Sequence, residues 1–81
     1  EDNEIDTMCA NNSDKLDIKI CYKNAAVYRN DVNFCEKSGI YKASCYNDIA
    51  VNTRNSSLCE FADYLKDECY NDINKLNNEN G

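Results

Sequence analysis

Six regularly spaced cysteines constrain the fold of this 81-residue chain more than any other feature of its sequence. A chain of this length buries only about 60–65% of the surface that its unfolded form exposes, so it is marginally stable without cross-links. An even number of cysteines in a short chain is typical of a disulfide framework formed in an oxidising compartment. The six are Cys9, Cys21, Cys35, Cys45, Cys59 and Cys69. We therefore expect an extracellular or cell-surface protein.

The cysteines belong to a sequence unit that occurs three times. Three of them are followed by tyrosine, and the pentapeptide Cys-Tyr-Asn-Asp-Ile stands at 45–49 and again at 69–73. The other three each follow a large apolar residue. A fixed period of 20 to 50 residues is typical of stacked supersecondary units. We predict one domain, residues 1–81, with repeat units at about 5–30, 31–54 and 55–77 and a frayed tail at 78–81.

Each unit is predicted to be a helical hairpin with a short and a long arm. The chain has no proline and two glycines, which argues against the many turns of an all-β protein. In the long arm, apolar residues recur three and four positions apart, as on one face of a helix. The predicted fold class is therefore all-α: three tandem disulfide-stapled helical hairpins, stacked as a short α-solenoid.

The short arms contain signals for helix starts and turns. The segments 33–36 (Asn-Phe-Cys-Glu) and 57–60 (Ser-Leu-Cys-Glu) fit a capping box, in which both end residues serve unpaired N–H groups. Gly39 fits a left-handed residue between the two arms of unit two. Asp63 and the segment 11–14 occupy the same place in the other units.

The repeat reduces the fifteen pairings of six cysteines to two regular sets. One set links successive units: Cys21–Cys35, Cys45–Cys59 and Cys9–Cys69. The favoured set links the arms of each hairpin: Cys9–Cys21, Cys35–Cys45 and Cys59–Cys69. It gives every unit the same bond and puts the two extra residues of the first spacer in a hairpin loop. A bond that closes a loop of about ten residues stabilises the fold by roughly 2.5–3 kcal/mol.

Five apolar residues of the long arms are predicted to pack between the repeat units. Each tyrosine lies at the edge of the buried helix face, and the isoleucine four residues after the cysteine lies beneath it. A row of aromatic side chains that binds a ligand is the alternative. These residues are Tyr22, Tyr46, Tyr70, Ile49 and Ile73.

The segments CYNDIAV (45–51) and LCEFADYLKDECYNDI (58–73) resemble a cysteine-rich helical repeat of exported proteins and lipoproteins predicted in archaea. The resemblance covers residues 34–73 well and 8–33 more loosely, because the first spacer is longer and Ala10 replaces the glutamate after the cysteine. It implies a location outside the membrane and a scaffold or contact role, with no known activity. Saposin-like proteins are also small, acidic and six-cysteine, but they have paired cysteines that this chain lacks.

Composition excludes several function classes. The absence of histidine removes the commonest general base and metal ligand, so we expect neither an enzyme nor a metal site nor a cofactor. The closest cysteines are ten positions apart, whereas zinc ligands come in close pairs. A net charge of -6 argues against nucleic acid as a partner. The short apolar runs argue against direct membrane insertion.

We expect an extracellular structural or protein-interaction module that binds itself or an external protein, with self-assembly into an oligomer or filament. Ile5 and Met8 offer apolar surface at the first end of the repeat. At the other end, Asn74 replaces an expected alanine and resembles a cap. The alternative is a secreted soluble ligand, such as a pheromone, toxin or inhibitor, acting on a receptor protein. Asn11 and Asn55 stand in Asn-x-Ser sequons and are glycosylation candidates.

Overall fold

The computed structural model describes the backbone of residues 2–80 and the side chains of residues 4–78. These residues form helices and no β-strand, which confirms the all-α class. The α-helices are α1 (Asp2–Ala10), α2 (Lys15–Arg29), α3 (Lys42–Thr53) and α4 (Lys66–Asn80). The 3₁₀ helices are η1 (Val32–Lys37), η2 (Gly39–Tyr41), η3 (Ser56–Phe61) and η4 (Asp63–Leu65).

The two inner long helices end in the same way. Asn30 after α2 and Arg54 after α3 are left-handed, with φ of 54° and 55°. In each case the N–H of the next residue donates to the carbonyl oxygen five residues earlier, at 2.9 Å. This hydrogen bond is the Schellman closure, which turns the chain sharply at the end of a helix. The next short arm therefore folds back against the helix that has just ended.

The short arms of units two and three differ from the sequence prediction. They are the 3₁₀ helices η1 and η3, and their N-caps are Asp31 and Asn55. The side-chain oxygens of these residues accept hydrogen bonds from the N–H two residues later, at 3.0 and 3.2 Å. The capping boxes predicted at 33–36 and 57–60 are therefore wrong. Asp31 and Asn55 directly follow the left-handed residues, so their side chains reach the first N–H groups of each short arm.

A period of three explains the burial of one pair of residues in each 3₁₀ short arm. In a 3₁₀ helix, residues three apart lie above one another. Cys35 and Ser38 are accordingly both fully buried, as are Cys59 and Ala62 in unit three. The hydroxyl of Ser38 donates to the Cys35 carbonyl at 2.6 Å, which satisfies the buried polar group.

The turns between the arms agree with the sequence prediction. Gly39 has a φ of 56° and Asp63 a φ of 53°, so both are left-handed. A Cβ on Gly39 would also lie 2.6 Å from Cδ of Lys19, which covers this turn from α2. Glycine therefore meets two demands at position 39, the backbone conformation and the close approach of a side chain.

Each short arm is joined by one disulfide to the α-helix that follows it. The bonds are Cys9–Cys21, Cys35–Cys45 and Cys59–Cys69, the set that the repeat favours. One continuous core surrounds them and includes Ile49, Ala50 and Ile73. The three disulfides thus lie along the core of a molecule with extents of 44 × 25 × 16 Å.

The long helices lie in chain order along the molecule. Within the described residues, α3 contacts both α2 and α4, whereas α2 and α4 do not contact each other. An ion pair of 3.0 Å joins Lys23 on α2 to Asp48 on α3. None of the described helices combines the length and the apolar character that a membrane crossing requires.

The C-terminal tail stays a prediction. Helix α4 runs through Asn80, and Gly81 and the side chains of residues 79–81 lie outside the described residues. The unit boundaries that the sequence predicts also remain predictions.

Candidate interaction surface

Each repeated tyrosine donates its hydroxyl to a carboxylate of the short arm in its own unit. A lysine ammonium group binds the same carboxylate, so three sets of three polar side chains recur along the molecule. The sets are Tyr22–Asp6–Lys37, Tyr46–Glu36–Lys42 and Tyr70–Glu60–Lys66. They lie at the edge of the core, where they tie the short arm to the long arm beside the disulfide.

Unit one builds this set from different sequence positions. It has Ala10 where units two and three have glutamate, and Asp6, one helical turn earlier on α1, takes the acidic role. Asp6 accepts from the Tyr22 hydroxyl at 2.8 Å and pairs with Lys37 of η1 at 2.9 Å. Because Lys37 belongs to unit two, this set also links the first two units.

The hydrogen bonds of these sets shift the pKa values of their members. Hydrogen bonds from Tyr46 and then Lys42 hold the pKa of the Glu36 carboxyl below its ordinary value of 4.5. The hydroxyl of Tyr46 shifts the other way, because burial, reinforced by the bond to Glu36, raises its pKa to about 12. Tyr46 is therefore neutral, and Glu36 ionised, over the whole neutral range.

We expect stability to fall at alkaline pH through Tyr46. A tyrosine whose pKa rises from 10.0 to about 12 on folding stabilises the fold fully below pH 10, and this contribution is lost as pH rises towards 12. Tyr46→Phe should cost about 1.5 kcal/mol at pH 7 and make the loss above pH 10 shallower. Urea unfolding followed by circular dichroism at pH 7, 9.5 and 11 measures both effects.

Tyr64→Phe is the matched control, because Tyr64 is 76% exposed and lies outside the N-terminal groove. This variant should retain both the wild-type stability at pH 7 and its decline above pH 10. An equal decline in Tyr46→Phe and wild type would contradict the assignment to Tyr46.

The tyrosine rings lie at the joints between successive units. Tyr22 stacks on Phe34 of unit two, with ring centroids 6.1 Å apart and planes at 21°. Tyr46 meets Phe61 of unit three at 5.3 Å, with planes at 31°. The Lys37 ammonium lies 5.4 Å from the Tyr22 ring centroid, a cation–π distance. Tyr70 lies on α4, after which no further unit follows within the described chain.

The C-terminal end of the repeat is polar. Ala26 and Ala50 occupy matching positions on α2 and α3, and both are fully buried. The matching residue of α4 is Asn74. The next position is valine in α2 and α3, but it is Lys75 in α4. Both side chains are exposed. This end therefore has the polar surface that terminal repeats need in order to remain dispersed in water.

The N-terminal end is apolar by contrast. A groove of about 700 Å³ lies between α1 and α2. Of the side chains along it, Met8 is 58% exposed and Tyr28 90% exposed, large fractions for apolar residues of that size. The apolar lining includes Ile5, Met8, Ile20, Ala25 and Tyr28, with Cys21 beside them.

The groove is the face that an earlier repeat unit would cover. Asn24 lines it, and the matching residue of unit two is Asp48, which binds Lys23 of the preceding helix. Ile20 is apolar, whereas the matching residues Ser44 and Glu68 are polar. This departure from the repeat is the sequence signal for the groove, and it lies outside the residues predicted to be apolar at this end, Ile5 and Met8.

The two sequons lie on the surface. Asn11 is exposed in the turn after α1, beside the N-terminal groove. Asn55 is exposed at the start of η3, where its Oδ1 caps the helix, leaving the amide nitrogen as the acceptor of a glycan. Glycosylation of either asparagine remains a prediction.

All six cysteines are in disulfides, and within the part of the chain described here no cluster of acidic residues could hold a metal ion. Comparison of the chain with protein-family models, curated proteins and solved structures finds no match. Its function must therefore be inferred from its own residues.

Proposed function

We propose that this protein is an extracellular protein-interaction module that binds its partner through the N-terminal end face, the groove between α1 and α2. We further propose that the module is a short α-solenoid of three stacked helical hairpins. The carrying observation is the difference between the two ends of the repeat: the C-terminal end presents Asn74 and Lys75, whereas the N-terminal end presents an open apolar groove.

The groove supports protein binding on physical grounds. Each square ångström of apolar surface that a partner removes from water contributes about 25 cal/mol of favourable transfer free energy. Met8, Ile20 and Tyr28 are all more than a third exposed and lie together on this face. Large exposed apolar patches are uncommon on proteins that act alone, and they mark contact surfaces. Tyr28 is also a residue type that is enriched among the strongest contributors to interfaces.

The extracellular location rests on redox chemistry and charge. Three disulfides in a chain of 81 residues are typical of proteins that fold in an oxidising compartment. The two sequons are exposed, as an external glycosylation site must be. A net charge of -6 keeps such a small protein dispersed in water.

A photo-crosslinking experiment tests the proposed binding face. The amino acid p-benzoylphenylalanine replaces Tyr28 in one sample and Lys75, on the polar end, in the other. Each oxidised protein is added to the cells and medium of its source, illuminated and analysed by mass spectrometry. We expect a defined protein adduct at position 28 that Ile20→Asp abolishes, and none at position 75. Adducts at neither position, or at both equally, would contradict the proposal.

A second candidate function is a secreted soluble ligand that acts on a receptor protein. It is favoured by a different apolar surface on the side of the molecule, where Ile40 is 67%, Phe61 57% and Tyr64 76% exposed. A third sample with p-benzoylphenylalanine at position 64 separates the two functions. An adduct at position 64 alone would favour the soluble ligand over the end-face module.

A further inference from the structure

We propose that the partner at the N-terminal end face is a second copy of this chain, with the two α2 helices antiparallel across a two-fold axis near Asn24. This inference rests on the proposed function and names the occupant of the same groove. The product would be a closed dimer, in which each copy covers the apolar groove of the other.

The groove face of α2 is self-complementary when it is reversed. Ile20 and Tyr28 lie at equal distances on either side of Asn24, so an antiparallel partner brings Ile20 of one copy against Tyr28 of the other. The two Asn24 amides then meet at the axis, where they can donate to and accept from each other. In a two-fold contact every pair away from the axis occurs twice and a pair on the axis occurs once, so two apolar pairs flank one polar pair.

The charges at the two ends of the groove match in the same arrangement. Asp17 lies in the first turn of α2 and Arg29 in the last, about 18 Å apart at 1.5 Å per residue. Reversing the partner about Asn24 leaves Asp17 offset from the Arg29 of the other copy by about two residues, or 3 Å, along the helix axis. A long arginine side chain spans that offset. Arg29 also interacts within its own chain, so this contact adds to an existing one.

The contact would continue an arrangement that the chain already uses. Helix α3 is covered by α2 on one side and by α4 on the other. Helix α2 contacts α3 on one side, and on the other it forms the open groove with the short helix α1, where none of the described long helices covers it. A second α2 would supply the missing neighbour at the usual helix–helix distance of about 8–10 Å.

Head-to-tail stacking fits the residues less well. It would press the C-terminal end of one copy against the groove of the next. Asn74 would then occupy a position where Ala26 and Ala50 are completely buried, and Lys75 would face apolar side chains. Burying an amide or an ammonium group without a partner is costly. The C-terminal end therefore favours a closed dimer over an open filament.

A reciprocal charge exchange tests the dimer directly. Asp17→Arg places two arginines against each other at each end of the antiparallel contact, and Arg29→Asp places two aspartates there. Each variant alone should dimerise at least tenfold more weakly than wild type in sedimentation equilibrium over a concentration series. An equimolar mixture should regain the wild-type affinity as a heterodimer, because each arginine then meets an aspartate of the other chain.

The mixture separates the interface from the stability of the monomer. Both changes also reverse a favourable charge at an end of α2 and so destabilise the chain that carries them. Mixing the two variants cannot restore this stability, because the interaction lies within one chain. Lys75→Glu, on the polar end, is the matched control and should leave dimerisation unchanged. Weaker dimers in Lys75→Glu, or no recovery in the mixture, would overturn the antiparallel arrangement.

The outcomes also distinguish this inference from the proposed function. Wild-type protein that stays monomeric up to millimolar concentration would overturn the second copy as occupant. If position 28 then crosslinks to a different protein, the end face remains a binding site and only its occupant changes. If position 28 crosslinks to nothing, both proposals fail together.

Discussion

Reduction of the three disulfides is expected to unfold this protein at 25 °C and neutral pH. Each bond closes a loop of 10 or 12 residues, which corresponds to about 2.5–3 kcal/mol of stabilisation. Together they contribute about 8 kcal/mol, which is comparable to the whole free energy of unfolding of a small domain. Packing of the core cannot compensate for this loss of stability, because five of its buried residues are themselves disulfide cysteines.

Far-UV circular dichroism during titration with a phosphine reductant measures this effect. The helical signal should fall cooperatively as the disulfides are reduced and return on reoxidation. The double variant Cys35→Ala, Cys45→Ala serves as an internal comparison, since its free energy of unfolding should fall by only about 3 kcal/mol. A fully reduced chain with the wild-type spectrum and urea midpoint would contradict the expectation.

Truncation of Ile49 should be the most damaging single change in the core. Its side chain is 1% exposed on α3, the helix that contacts both α2 and α4. Ile49→Ala removes buried methyl groups and leaves a cavity that neighbouring helices fill only in part, at a cost of about 3 kcal/mol. A domain of this size has little stability to spare, so the variant should be largely unfolded at 37 °C.

Urea unfolding of oxidised protein measures this cost against a matched isoleucine. Ile40 is 67% exposed, so Ile40→Ala should change the free energy of unfolding by less than about 0.5 kcal/mol. Keeping the disulfides intact in both variants isolates the contribution of packing. Equal losses in the two variants would show that Ile49 does not lie in the core.

The features that the sequence predicts well depend on short stretches of chain. The all-α class follows from the helical spacing of apolar residues and the scarcity of turn residues. The left-handed turns at Gly39 and Asp63 follow from their matching places in the repeat. The favoured disulfide set joins cysteines only 10 or 12 residues apart. In each case the interacting groups are near neighbours along the chain, so a regular pattern identifies them.

The features that the sequence predicts poorly depend on choices between nearby partners. Glu36 and Glu60 have the spacing of a capping box, yet their carboxylates bind tyrosine hydroxyls. Asp6 takes the acidic role in unit one and recruits Lys37, which is 31 residues away. Several acceptors and donors compete for each group, and only their positions in space decide which pairs form.

The sequence by itself determined the helical class, because apolar residues recur at helical spacing and turn residues are scarce. Only the tertiary structure decided which side of each unit stays uncovered. A helix such as α2 has apolar residues on more than one face, and the pattern cannot tell which face meets the next unit. The Schellman turn after α2 directs the chain to one side of it. Ile20, Asn24 and Tyr28 are thereby left on the other side, in the open groove.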